Sequence, residues 1–297
     1  MRHGRVQETP CYTGAMSGVA LMLAACGCFA VMSALVKALG PGFPFAEAVM
    51  FRALFGLVAL GAAARWRRIA LRPKRYDLLV VRGLFGLTAM SCYFYALQRG
   101  LLANVVMIGR LQPVLVALLA PLLLRERAQR EVVAALALGL GGVLLVVRPS
   151  YAGVDAASVA ALIATLASAL AHLTLRRLGA TDHPWTIVLV FSAITTVGGG
   201  LLALPAMVWP TGLQWTLLAG IAACATFGQL LMTTAYRREV APVVSAAGYS
   251  WVVYALVLGV VFWGEIPDAA ALAGGAAIVV GGVVLLARRR AVAPAET

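Results

Sequence analysis

Long apolar runs repeat along the whole chain and are separated by short polar connections. Each run has about the 20 residues that an α-helix needs to cross the hydrocarbon layer of a membrane, since each residue advances the helix by about 1.5 Å. Connections of a few residues bearing Pro, Gly or charge predict that consecutive helices form hairpins across the membrane. The ten predicted spans, numbered in chain order, are 14–38, 44–64, 76–98, 101–124, 131–148, 155–177, 184–208, 212–235, 240–263 and 268–287.

The composition supports a membrane location. Of the 297 residues, 62% are apolar and only 12% are charged, and the mean hydropathy is +0.94. A single soluble core cannot bury that much apolar surface. The sequence therefore predicts an all-α integral membrane protein with no soluble domain between its spans.

The basic residues that give the chain its net charge of +13 are concentrated in every second connection. Eighteen Lys and Arg residues lie in the leader, in the tail and in every second connection, whereas the other connections hold three, and GEIPD at 264–268 is acidic. Cytoplasmic connections are the basic ones, so both termini are predicted to be cytoplasmic, as in a multi-pass protein of the bacterial inner membrane. This distribution argues against nucleic-acid binding and makes anionic lipid headgroups the expected partners of the basic loops.

The leader and the cysteines predict neither processing nor a cofactor. The polar leader MRHGRVQETP precedes a first span that is too long for a signal peptide, and no cleavage site is evident. The cysteines have no CxxC spacing and no His partners at metal-ligand spacing, so we expect small apolar core residues, no metal site and no cofactor. They are Cys11, Cys26, Cys28, Cys92 and Cys224.

An internal repeat divides the chain in two. GGVLLVVR at 141–148 recurs as GGVVLLAR at 281–288, and a shift of 139 residues also pairs Arg99 with Arg238 and Glu126 with Glu265. We therefore predict a leader at 1–13, a five-helix repeat at 14–148, a second at 155–287 and a basic cytoplasmic tail at 288–297. An odd number of spans inverts the second repeat, which favours a substrate site near the midplane and alternating access. The alternative is that helices rich in Gly, Ala and Leu resemble one another by composition.

The motifs of both halves resemble the paired EamA modules of the drug/metabolite transporter superfamily. In the first half these are Pro113 near the centre of span 4, Glu126 at its end and the GGV of span 5; the second half has Glu265 and another GGV, with Val252 opposite Pro113. The resemblance covers essentially the whole chain. It implies a transporter of small metabolites, often an exporter, and YddG-type amino-acid exporters are similar in length, topology and charge pattern. It also implies that spans 1–4 and 6–9 surround a central cavity, with spans 5 and 10 to one side, so we interpret the GGV glycines as close-packing positions.

Polar residues at membrane depth are the candidates for substrate binding, because inserting Arg there costs about 2.5 to 3.5 kcal/mol. Arg110 lies near mid-depth in span 4, and the 139-residue shift pairs it with Tyr249 in span 9. Two such groups at equivalent points of inverted halves are predicted to converge, where Arg110 would hold a carboxylate and Tyr249 would donate a hydrogen bond. The alternative is a structural Arg satisfied by helix-end carbonyl groups or by a carboxylate of the protein.

The remaining candidates lie on spans 3, 6, 8 and 9. One face of span 3 carries Arg82, Gly86, Ala89 and Tyr93. The two small residues either leave room for substrate or pack against another helix. Arg82 either lines the cavity or extends its charged head to the cytoplasmic interface. His172 and Gln229 are lone polar groups for which an interhelical hydrogen bond is the alternative. The predicted substrate-binding residues are Arg110, Tyr249, Tyr93, Ser245, Trp251, Tyr254, Arg82, His172 and Gln229.

Enzyme and ATPase motifs are absent from the sequence. It contains no HExxH, GxSxG or GxxxxGK[ST], so no catalytic residues and no ATPase partner are predicted, and transport is expected to be secondary or facilitated. Small multidrug relatives in the superfamily exchange protons through a carboxylate in the first helix, which residues 14–36 lack. An amino acid or similar zwitterion or anion is the predicted substrate. An importer or exchanger of anionic metabolites or nucleotide-linked compounds is the alternative, followed by a non-transporting membrane scaffold.

Overall fold

A computed structural model describes residues 17–69, 71–112, 114–116, 155–178, 181–238 and 247–292, with isolated positions between 118 and 145. These residues form helices and no strand. The helices are α1 Gly18–Leu39, α2 Phe45–Trp66, α3 Tyr76–Arg99, α4 Leu102–Gly109, α5 Ala156–Leu178, α6 Pro184–Ala203, α7 Gly212–Arg238, α8 Ser250–Trp263 and α9 Ala269–Val292. A single turn of 3₁₀ helix at Leu204–Ala206 extends α6.

Six of the described helices are long and apolar enough to cross a membrane, namely α1, α2, α3, α5, α6 and α7. The apolar helices α8 and Ala269–Val280 of α9 are shorter. The prediction of an all-α, multi-pass membrane protein is confirmed by these helices. Most of span 5 and residues 240–246 of span 9 lie outside the described part of the chain.

Two of the six long helices are more enclosed than the other four. In their most apolar windows, α1 is 56% buried and α5 is 50% buried, whereas α2, α3, α6 and α7 are each 28% buried. Helix α1 packs mainly against α7, α5 packs mainly against α3, and α2 packs against α6. The two enclosed helices therefore line the interior of the bundle, and the apolar outer faces of the other four suit contact with lipid.

The two ends of the bundle are tied by different carboxylates. We call the end that carries the α5–α6 connection the Asp182 end. There the Asp182 carboxylate accepts hydrogen bonds from the Lys74 backbone N–H and the Thr181 hydroxyl, each 2.7 Å long. These two bonds hold the pKa of Asp182 below its usual range, and the bond from the Lys74 N–H has the larger effect. At the opposite end, which we call the Lys37 end, the buried Glu47 accepts a 3.1 Å bond from the Val208 N–H.

A glycine of the repeated GGV sequence makes the closest described contact between span 5 and α9. A Cβ atom placed on Gly142 would lie 2.5 Å from the Gly274 carbonyl oxygen and 2.7 Å from Ile278 Cγ1. The neighbouring Gly141 faces open space. Gly142 therefore permits a helix–helix approach that no larger residue allows, which is the packing role that the motif predicts.

Replacing Gly142 with alanine is expected to lower the melting temperature of the detergent-purified protein. Overpacking of this kind costs about 1 to 3 kcal/mol, and a backbone oxygen cannot swing aside as a flexible side chain can. Gly141→Ala is the matched control. Its melting temperature is expected to stay within about a degree of that of the unsubstituted protein, because surface substitutions shift the free energy of unfolding by about 0.5 kcal/mol or less. Equal melting temperatures for the two variants would contradict this packing role.

Candidate functional site

Helix α4 is interrupted in the middle of span 4. It ends at Gly109, Arg110 and Leu111 form a turn, and helical structure resumes at Gln112. The N–H groups of Arg110 and Leu111 each bond a carbonyl oxygen three residues earlier, at 3.0 Å, instead of four residues earlier. The sequence predicted one span at 101–124, with Pro113 near its centre and a bend there implied by the family resemblance. A tightened turn inside an apolar helix often marks a functional hinge.

A second interruption lies in span 9, immediately before α8. Gly248 and Tyr249 form a turn, and the N–H groups of Trp251 and Val252 bond the carbonyl oxygens of Gly248 and Tyr249 at 3.3 and 3.0 Å. This turn forms with Val252 at the place where span 4 has Pro113, so proline is not required for it. Both interrupted segments carry a candidate residue at the turn, Arg110 in one and Tyr249 in the other.

The Arg110 side chain joins the two interruptions. Its Nη1 lies 3.5 Å from the Gly248 carbonyl oxygen, and its guanidinium carbon lies 4.5 Å from the centre of the Trp251 ring. Cys26 Sγ approaches the same carbonyl at 3.5 Å. In the described part of the chain no carboxylate pairs with Arg110. Within the described part of the chain, the cation is therefore held by one long hydrogen bond and an aromatic face, without a counter-ion.

Aromatic rings from two other helices pack against Trp251, the ring that covers the Arg110 guanidinium. Trp251 stacks on Phe29 with ring centres 5.1 Å apart and meets the edge of Tyr93 at 6.4 Å. The Tyr93 hydroxyl lies 3.1 Å from Ser33 Oγ, which itself donates to the Phe29 carbonyl at 2.8 Å. Ser33 has one proton and gives it to that carbonyl, so Tyr93 is the donor in the pair. These contacts fix Tyr93 and Trp251 beside Arg110.

Four buried polar atoms around this cluster have no hydrogen-bond partner. They are Arg110 Nε, Tyr249 Oη, Ser250 Oγ and Trp251 Nε1. Leaving a buried donor unpaired costs about 1 to 3 kcal/mol, so native proteins rarely leave several of them together. All four groups can donate, which suits a ligand that presents acceptor oxygens. We call Arg110, Tyr249, Ser250 and Trp251, with Tyr93, the Arg110 site.

A second polar cluster closes the Lys37 end of the bundle. Lys37 Nζ forms an ion pair with Glu265 Oε1 and donates to the Gly100 carbonyl, while Glu265 Oε2 accepts a 2.9 Å bond from the Leu102 N–H. The two charged side chains are only 11% and 12% exposed. A cleft of about 490 Å³ lies beside them, lined also by Asp155 and Asp268. This cluster links the end of α1, the α3–α4 connection and the α8–α9 connection.

Comparison with known proteins identifies the family. The family model for the EamA-like transporter family matches residues 16–148. The Pseudopaline exporter CntI of Pseudomonas aeruginosa is 35% identical over 264 residues, which cover 87% of this chain and 92% of that protein. This chain belongs to the EamA-like transporter family. It is therefore a membrane transporter of the drug/metabolite transporter superfamily, as the motifs predicted.

Further comparisons agree with this membership in the EamA-like family. An uncharacterized transporter of Helicobacter pylori is 26% identical over 272 residues, covering 86% of this chain and 90% of that protein. A solved crystal structure superposes with a TM-score of 0.62 over 92% of this chain and 98% of the other, at 22% identity. At that identity the likeness concerns the fold alone.

Among the predicted site residues of this EamA-like transporter, Arg110, Tyr93, Tyr249 and Trp251 lie together. Tyr254 lies one turn beyond Ser250 on α8, and its ring is about 4.0 Å from the Cβ position of Gly27 on α1. Gln229 is on α7 with an exposed side chain that has an interaction partner, and Ser245 lies outside the described residues. Substrate binding by any of the nine stays a prediction.

Arg82 and His172 lie nearer the Asp182 end than the Arg110 site. The Arg82 guanidinium carbon lies 4.6 Å from the centre of the Phe191 ring, and Phe191 fills the space beside Gly86 together with Arg82 itself. The small residue at 86 therefore serves packing between α3 and α6. His172 Nδ1 lies 2.7 Å from the Ser168 carbonyl oxygen one turn earlier on α5, so the described bond of this ring is within its own helix.

Sequence reasoning missed three members of the cluster on α1, namely Cys26, Phe29 and Ser33. Ser33 carried a usable signal, because a lone hydroxyl four residues from Phe29 in an apolar helix needs a partner. No metal-ligand set is present in the described part of the chain, where no three His, Cys, Asp or Glu side chains come together. The polar groups of the Arg110 site are donors and would bind an anion directly.

Proposed function

We propose that this transporter exports a small metabolite bearing a carboxylate, most simply an amino acid, across the bacterial inner membrane by secondary or facilitated transport. The observation that carries the proposal is the half-buried Arg110 guanidinium, which has a buried, unpaired Nε and no carboxylate partner among the described residues. A cation in mid-membrane is retained against a cost of about 2.5 to 3.5 kcal/mol. A substrate carboxylate, bound by the planar guanidinium through two hydrogen bonds, would supply the missing charge.

The rest of the Arg110 site fits such a ligand. The unpaired Tyr249 hydroxyl, Ser250 hydroxyl and Trp251 Nε1 would donate to carboxylate oxygens. Aromatic faces of Tyr93 and Trp251 would contact an apolar side chain or an ammonium group. Because the site itself offers a cation and no carboxylate, it favours zwitterions and anions over lipophilic cations.

The helix pairing supports ten spans arranged as two inverted five-helix repeats. The 139-residue shift makes α1 equivalent to α5, α2 to α6 and α3 to α7. Under this exchange the α1–α7 contact becomes the α5–α3 contact, the α2–α7 contact becomes the α6–α3 contact, and the α2–α6 contact maps onto itself; all of these contacts are present. Arg110 and Tyr249, at the two interruptions, are separated by the same shift. Interrupted helices at a repeat interface are typical of the substrate site of secondary transporters.

The Lys37 end and the basic residues near the Asp182 end support alternating access with a defined orientation. By the positive-inside rule the Asp182 end, with Arg65, Arg67 and Arg68 nearby, would face the cytoplasm, so the Lys37 end would face outward. The Lys37–Glu265 ion pair would then close the outer side of the Arg110 site. Rocking of the two halves would break this pair and open the site outward.

The direction of transport is argued from the exporter named among the relatives. The Pseudopaline exporter CntI aligns over most of both chains, which favours export of a polar metabolite here. The described part of α1 contains no Asp or Glu, so proton exchange through a first-helix carboxylate is not proposed. The unpaired cations Arg82 and Arg110 also favour a second candidate, an exchanger of anionic metabolites.

Transport by purified protein in proteoliposomes tests the proposal. Vesicles loaded with a labelled amino acid are expected to lose it faster than protein-free vesicles, and unlabelled amino acids on the same side are expected to compete. A panel of amino acids, dicarboxylates, sugar phosphates and nucleotides distinguishes the candidates. If only a sugar phosphate or a nucleotide moves or competes, the amino-acid proposal is wrong, and if no compound moves, the transport proposal fails for the whole panel.

A further inference from the structure

Arg82 does not extend toward the nearer membrane interface. It lies six residues after the start of α3 at the Asp182 end, about 9 Å along the helix. An Arg at this depth usually extends its charged head back to the interface. Here Arg82 Nη1 lies 2.5 Å from the position of a Cβ on Gly86, one turn deeper. The side chain therefore points toward the middle of the membrane, which is the direction opposite to snorkelling.

The surroundings of Arg82 hold this inward conformation. Gly86 supplies the space, because a Cβ there would collide with both Nη1 of Arg82 and the Phe191 ring. The Phe191 ring, from α6, covers one face of the guanidinium at 4.6 Å. A glycine and an aromatic ring on two helices thus build a cradle for the cation.

The Arg82 guanidinium is left without an anion. Its Nε and Nη1 are buried and have no hydrogen-bond partner, and neither ion pair found among the described residues includes it. The contact with Phe191 offsets only part of the cost of placing the cation at membrane depth. An anion from outside the described protein would remove this deficit, as at Arg110.

His172 lies near both cations. Its ring on α5 is close enough to Arg82 and Arg110 for both charges to act on it, and the residue is exposed. Because a carbonyl oxygen accepts the hydrogen bond from Nδ1, the neutral ring leaves Nε2 as an acceptor for a protonated group of a ligand. The described residues supply no carboxylate between the two guanidinium groups, so one monocarboxylate would leave a cation unpaired.

We propose that Arg82 binds a second acidic group of the same substrate whose first carboxylate is held at Arg110, so that the transported compound is a dicarboxylic metabolite such as an acidic amino acid. This inference rests on the proposed function and narrows its substrate class. Arg110 and Arg82 bind the two acidic groups, and Nε2 of His172 is available to accept a hydrogen bond from a protonated group of the ligand.

Competition by matched compounds tests the second anion position. Glutamate and glutamine differ only in the second acidic group, and wild-type protein in proteoliposomes is expected to bind glutamate at least about tenfold more tightly. Arg82→Gln is expected to weaken the binding of glutamate by about tenfold or more and to change the binding of glutamine by less than about twofold. Gly86→Ala displaces the Arg82 head without removing it and is expected to reduce the preference in the same direction, which gives a second variant should Arg82→Gln fail to fold.

Two controls separate the cradle from general packing and charge. Gly83→Ala introduces a similar collision one turn earlier on α3, against Ile194 instead of Arg82, and Arg75→Gln removes an exposed cation near the same end of that helix. Both are expected to keep the glutamate preference. The inference is overturned if wild-type protein binds both compounds equally or if Arg82→Gln weakens both equally, although the amino-acid proposal then stands. If neither compound nor any other carboxylate binds, the proposed function fails with it.

Discussion

Replacing Arg110 with alanine is expected to weaken substrate binding at least about 30-fold and to reduce transport to the level of protein-free vesicles. Removing one partner of a buried charge pair costs about 2 to 5 kcal/mol, and each 1.4 kcal/mol is about a factor of ten. Arg110→Lys keeps the charge but loses the planar fork and the stacking on Trp251, so an intermediate loss is expected. Binding affinity and initial efflux rate are the two measurements.

The melting temperature of the Arg110 variants distinguishes a binding role from a structural one. Arg110 has no protein counter-ion among the described residues, so Arg110→Ala removes an uncompensated, half-buried cation and is expected to leave the melting temperature unchanged or raise it. A large fall in melting temperature would mean that Arg110 holds the two helix interruptions together through the Gly248 carbonyl. Unchanged affinity in a folded Arg110→Ala variant would exclude Arg110 from the site.

Breaking the Lys37–Glu265 ion pair is expected to open the outer side of the transporter. Glu265→Gln leaves Lys37 without its counter-ion in surroundings where both side chains are almost fully buried, and loss of one partner of such a pair costs about 3 to 5 kcal/mol. The conformation closed at this end bears that cost, so the population shifts toward the open one. Ser33 is fully buried one turn inward from Lys37, and the thiol of a Ser33→Cys reporter is then expected to react with a membrane-impermeant maleimide at least about tenfold faster.

The charge-swapped double variant is the control for this gate. All reporter proteins lack the native cysteines. Lys37→Glu combined with Glu265→Lys restores an ion pair, so the labelling rate of the Ser33→Cys reporter is expected to return most of the way to the rate of the parent. The Leu102 N–H loses its acceptor in this variant, so recovery is expected to be incomplete. Equal labelling in the parent, Glu265→Gln and the double variant would show that the pair does not close the outer side.

The sequence predicted the helices well because a bilayer imposes a simple constraint. Every backbone polar group in lipid must be satisfied within the helix, so run length and the charged or Pro-bearing connections locate the spans closely. For example, α3 was predicted at 76–98 and is Tyr76–Arg99. The motif with Pro113 implied a bend near the centre of span 4, but the turn at Arg110 itself was not located, since a single turn with hydrogen bonds three residues apart leaves no mark in an apolar pattern.

The candidate site was accessible to sequence reasoning only where the residues were chemically conspicuous. Arg110, Tyr93, Tyr249 and Trp251 stand out as polar or aromatic groups at membrane depth, and the structure brings them together. The direction of the Arg82 side chain was not accessible, because it depends on Gly86 and on Phe191 from another helix. Partners from distant segments must be seen in three dimensions before such a side chain can be interpreted.

The central claim is that the Arg110 site holds a carboxylate, and a comparison of an amino acid with its α-carboxamide tests it most directly. The two compounds have nearly the same shape, and only the acid carries the negative charge that would pair with the guanidinium. Equilibrium binding to the purified transporter is expected to favour the acid by at least about 30-fold in the wild type and by less than about threefold in Arg110→Gln. Equal affinity of the wild type for the acid and the amide would contradict the claim.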